Sequence, residues 1–174
     1  MNKFPSLAIA AALAVGMVAT PAFSQAKSQT ARAQLLGTWR LVSAKAISGG
    51  KVSYPLGEHP GGYAGYTATR VWFMLVGSNR KAPATAIPTD AEAGPLMKSS
   101  AAYTGKYDVD PLPSKDGLKV TVIVDAAANE GLKGSKRVWF AKIDGNRLTV
   151  TSPALLVPNT GLTSNVEVVY VRAE

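Results

Sequence analysis

From Leu35 to the end of the chain, apolar and polar side chains alternate in short runs cut by Gly, Pro, Asn and Asp, which is the period of half-buried strands. The pattern is clearest in 118–125, where Leu118, Val120, Val122 and Val124 share one face and Lys119, Thr121 and Asp125 the other. It predicts strands over 37–47, 62–69, 71–76, 103–109, 118–125, 136–143, 147–152 and 164–172. Asp144-Gly145 supplies a tight turn that makes two of these an antiparallel hairpin. The expectation is an all-β fold, a small antiparallel barrel of about eight strands.

One segment breaks the alternation. Residues 77–88, with two prolines and several basic or amide side chains, predict a loop. A capping-box pattern, Thr89-Asp90-Ala91-Glu92, then predicts one short helix. Pro95 leaves its start open: the helix begins at the capping box, or at Pro95 itself, because a proline at the sixth helical position crowds an upstream carbonyl.

The N-terminus has a different grammar. Lys3, an apolar run from Leu7 to Val18 and the small residues Ala22, Ser24 and Ala26 form a cleavable export signal. The run falls short of the roughly 20 residues that a membrane helix needs. Cleavage after Ser24 or Ala26 is expected, without stable membrane insertion and with a periplasmic or secreted destination. The chain thus divides into a signal over 1–26, a polar lead-in over 27–34 and one barrel domain over 35–174.

Composition removes several functions. The chain has no cysteine and a single histidine, His59 in a Pro- and Gly-rich loop, so neither a structural zinc site nor a held Ser-His-acid set is expected. Gly61-Gly62-Tyr63-Ala64-Gly65 lacks the Lys-Ser/Thr ending of a phosphate loop. No cofactor or metal is implied. The net charge of +8 is dispersed, with adjacent basic pairs only at Arg80-Lys81 and Lys136-Arg137 and no aromatic ladder beside them, so nucleic acid is not expected as a partner.

Several blocks in order resemble the bacterial lipocalin-like domain family: Leu36-Gly37-Thr38-Trp39-Arg40-Leu41-Val42-Ser43, Tyr54-Pro55-Leu56-Gly57, Tyr66-Thr67-Ala68, Tyr103-Thr104-Gly105-Lys106-Tyr107-Asp108-Val109-Asp110 and Asp144-Gly145-Asn146-Arg147-Leu148-Thr149-Val150. The resemblance implies a calycin-type barrel with no single assigned activity. It also implies that Trp39 closes the barrel's bottom, covered by Arg172 from the chain's end. Two departures stand out. The family's usual histidine is missing from 120–124, and Thr69-Arg70 leads into Val71-Trp72-Phe73-Met74-Leu75-Val76, which is apolar on both faces.

Arg137 and Trp139 share a strand face, and Tyr66, Tyr107 and Tyr170 bring hydroxyls onto apolar strands. A cavity lined by these five would bind a small apolar or amphipathic molecule with one acidic or carbonyl group. Three alternatives remain open: a barrel filled by its own side chains, a cofactor-free isomerase or cyclase using Tyr and Arg, and an envelope protein-interaction module. The outward Trp72 and Met74 want cover from the 77–88 loop or from a second copy in a homodimer.

Overall fold

The computed structural model describes residues 21–157 and 160–173. Residues 1–20, which hold the charged start and apolar core of the expected export signal, lie outside the described residues. In chain order the elements are α1 (Pro21–Leu35), β1 (Gly37–Ser48), β2 (Lys51–Ser53), β3 (Gly61–Tyr66), β4 (Arg70–Val76), α2 (Asp90–Lys98), β5 (Ser100–Val109), β6 (Leu118–Ala127), β7 (Lys136–Asp144), β8 (Arg147–Thr151), β9 (Leu155–Val157) and β10 (Leu162–Arg172).

Eight of the strands close on themselves. Antiparallel pairing runs β1-β3-β4-β5-β6-β7-β8-β10, and β10 returns to β1 with Trp39 opposite Arg172 and Ala44 opposite Val168. Closure leaves the barrel no free edge to recruit another chain. The short β2 and β9 extend β1 and β10 at one rim.

Alternation sets the interior. Val120, Val122 and Val124 are buried while Lys119, Ile123 and Asp125 are exposed, so β6 turns the face read from its sequence toward the core. The hairpin at 144–147 pairs Asp144 with Arg147, and only Gly145 takes a positive φ, of 55°, as in a type II′ turn. The helical segment unites the two expected starts: α2 begins after Thr89, whose backbone N–H donates to Glu92 Oε2 at 2.9 Å, and runs on through Pro95.

The two ends of the barrel differ. One is closed by α1, a helix where the sequence suggested only a polar lead-in. Its signal is local: Ala31 and Leu35 lie one turn apart on one face, and both are buried in the core. The neighbouring Ser28 and Arg32 tie the helix down. Ser28 donates to the Val109 carbonyl at 2.9 Å, and Arg32 donates to the Ala68 carbonyl at 2.8 Å and to Asp108 at 3.2 Å. The other end, where β1 finishes and β10 begins, carries α2, the 77–88 loop and a 3-10 turn at Glu130–Leu132.

The outward apolar side chains of β4 are not buried: Trp72 is 40% exposed and Met74 58%. Trp72 lies instead across Gly65, its cross-strand partner, where any Cβ would collide with the indole. A side chain missing on one strand is replaced by a ring from the next.

Candidate functional site

The interior between the helix-capped end and α2 is hollow. The cavity measures about 460 Å³, inside the roughly 300–1,000 Å³ span of small-molecule sites, so the alternative of a barrel filled by its own side chains does not hold. Most of its wall is aliphatic or aromatic, contributed by inward positions of nearly every barrel strand. A few polar groups interrupt that wall, and each has a traceable origin.

Four of the five residues expected at the cavity line it: Tyr66, Arg137, Trp139 and Tyr170. Tyr66 ends β3, paired with Gly37 and Val71, and so stands in the half nearer α1. Tyr170 of β10, opposite Leu41 and Leu148, stands in the same half and is 4% exposed. Arg137 is the second residue of β7, at the α2 end, and Trp139 lies two residues deeper on the same face.

Tyr107 is not part of the lining. β5 runs from the α2 end toward α1, which carries Tyr107 past the cavity into the floor. There its hydroxyl donates to the Thr67 carbonyl at 2.8 Å, and the Arg32 guanidinium lies 5.0 Å above its ring. Tyr103, two alternations earlier on β5, is the tyrosine that reaches the cavity, and it was not among the expected site residues. Its hydroxyl accepts the Trp139 indole N–H at 2.6 Å, and its ring packs edge-on against Phe73 at 4.3 Å. Parity alone could have nominated it, because Tyr103 and Tyr107 are separated by an even step.

Three polar groups of the lining, those of Tyr66, Tyr170 and Arg137, stand apart from the rest. Neither the Tyr66 nor the Tyr170 hydroxyl bonds to any described residue. No fully enclosed polar side-chain atom among the described residues lacks a partner, so both oxygens open on the cavity. Arg137 has no carboxylate partner among the described residues, whereas Lys45, also in the lining, is held by Glu167 at 2.8 Å. Glu130, a carboxylate of the lining, is paired with Lys133 at 3.2 Å.

Burial also sets the protonation state. It pushes the Tyr103 hydroxyl up to about 12, with the Trp139 N–H and the Arg137 charge pulling weakly the other way, and it holds Tyr66 and Tyr170 well above the ordinary phenol value. At neutral pH the cavity therefore offers neutral O–H donors together with the cations Lys45, Lys98 and Arg137, of which Lys45 is held by Glu167. No group of three or more His, Cys, Asp or Glu side chains able to hold a metal ion occurs among the described residues. His59 is exposed in the loop before β3 and is not part of the lining.

The floor is fully bonded. Trp39 is wholly buried, its indole N–H donating to the Leu35 carbonyl at 2.8 Å. The Arg172 guanidinium stacks 4.1 Å from the Trp39 ring and donates to the carbonyls of Leu36 at 2.8 Å and Gln34 at 3.1 Å.

Compared with known proteins, residues 36–170 match the family model of a lipocalin-like domain. No curated protein and no solved structure matches the chain significantly.

Proposed function

Because the chain belongs to the lipocalin-like domain family, whose barrel is a ligand-binding architecture, we propose that it is an exported carrier of a small amphipathic anion, held with its charged group on Arg137. The observation that carries this reading is the half-buried Arg137, without a carboxylate partner among the described residues, in the wall of an apolar cavity. Desolvating a cation with no partner is costly, and an anionic ligand removes the cost. The apolar wall takes the rest of the molecule by burial.

The protonated phenols are hydrogen-bond donors rather than bases near neutral pH, which suits them to orienting an oxygen of a bound molecule. The N-terminal pattern of Lys3, apolar core and small residues supports a periplasmic or secreted setting. No helix of the described residues is long and apolar enough to cross a membrane.

The test uses 8-anilinonaphthalene-1-sulfonate, an anionic aromatic whose emission rises in apolar sites. The expected result is one-to-one binding to the wild type, weakened about tenfold or more in Arg137→Met, as loss of a charge-assisted hydrogen bond requires. Equal affinity in both proteins would contradict the assignment of Arg137.

A further inference from the structure

The cavity has two polar poles. Arg137 stands at the α2 end of β7, while Tyr66 and Tyr170 stand in the half toward α1, and Tyr103 with its Trp139 partner lies between. One acidic group on Arg137 leaves the deeper pole without a partner. Both hydroxyls open on the cavity with no partner from the described residues, and two such donors in an otherwise apolar wall are matched by an acceptor on whatever fills it. Tyr170 is 4% exposed, so its oxygen meets only what enters the cavity.

Resting on the carrier reading above, we infer that the ligand is an oxygenated amphipathic acid, an oxo- or hydroxy-acid, whose second oxygen is uncharged and lies several bonds from the acid among the hydroxyls of Tyr66 and Tyr170. The chemistry at that pole is one-sided. The phenols are neutral donors, with no cation beside them in the deeper half of the lining, so a carbonyl or hydroxyl oxygen is matched there and a second carboxylate is not. The Tyr66 ring is also held in place. Tyr66 packs edge-on against Tyr107 at 5.5 Å, and Tyr107 is anchored through Thr67, so the deeper pole is preorganised rather than adaptable.

The probes are dodecanoic acid and its mono-ketones at C6, C8 and C10, titrated calorimetrically into the wild type and into Tyr66→Phe/Tyr170→Phe. A ketone in at least one position should tighten binding about tenfold over dodecanoic acid, a gain that falls to within about twofold in the double variant while dodecanoic acid binds both proteins alike. Thermal melts report folding of the double variant, and the single variants Tyr66→Phe and Tyr170→Phe take its place if it does not fold. A wild-type preference near one at every position overturns the inference, as does a preference that survives loss of both hydroxyls. If dodecanoic acid does not bind at all, the carrier reading fails for Arg137, and the neutral ketone undecan-6-one decides the deeper pole by itself. Its binding must then weaken in the double variant, and absence of binding to the wild type overturns this inference too.

Discussion

The floor of this barrel and the wall of its cavity contain the same kinds of residue and use them differently. In the floor Trp39 bonds Leu35, Arg172 stacks on Trp39 and bonds two carbonyls, and Tyr107 bonds Thr67 beneath Arg32. Around the cavity the same chemistry is left open, with Arg137 lacking a carboxylate and Tyr66 and Tyr170 lacking any partner among the described residues. Satisfied polar groups specify a fold; unsatisfied ones in an apolar wall specify a ligand.

The largest effect expected from this contrast is at the floor. Trp39→Ala removes the largest fully buried side chain together with its hydrogen bond and the surface on which Arg172 stacks. It should cost roughly 3–5 kcal/mol in denaturant unfolding. An unchanged midpoint would mean that the floor is not the structural part of the barrel.

Alkaline pH probes the cavity wall. Burial raises the Tyr103 phenol from 10.0 to about 12, and a group whose folded value is raised contributes stability below its unfolded value that is lost as pH climbs through the folded one. Stability should therefore decline between pH 10 and about 12, by roughly 3 kcal/mol for Tyr103, with Tyr66 and Tyr170 shifted in the same direction. Phenolate absorbance at 295 nm should show these tyrosines ionising only with unfolding. Normal titration of all six tyrosines in folded protein would contradict their burial.

A smaller effect separates the floor from the cavity wall by a matched pair. Tyr107→Phe deletes a bonded hydroxyl and should cost about 1 kcal/mol, whereas Tyr170→Phe deletes an unbonded one and should leave stability within about 0.5 kcal/mol or raise it. Equal losses would erase the distinction on which the functional reading stands.

How far the contrast was legible in the sequence follows from what parity encodes. Alternation assigns faces, so the inward set of β6 and the shared face of Arg137 and Trp139 could be read directly. Alternation says nothing about depth along the barrel axis. Tyr107 and Tyr103 look equivalent on β5, yet one falls in the floor and the other in the cavity, because strand direction and tilt decide the height. The α1 plug was hidden for another reason. Two buried residues, Ala31 and Leu35, make a helical stripe too narrow to stand out in a polar Ala-rich run, and the bonds that hold it come from Ser28 and Arg32 to distant carbonyls. The cover for Trp72 was equally non-local, since Gly65 becomes its bed only once β3 pairs with β4.

The central claim is that the open polar groups of the cavity exist for an anionic ligand. Protein isolated from its native source, stripped of adventitious lipid and examined by native mass spectrometry, tests it most directly. The account predicts one bound small molecule per chain that carries an acidic group and is depleted in Arg137→Met isolated in parallel. A bound species with no acidic group, or one retained equally by Arg137→Met, would contradict it.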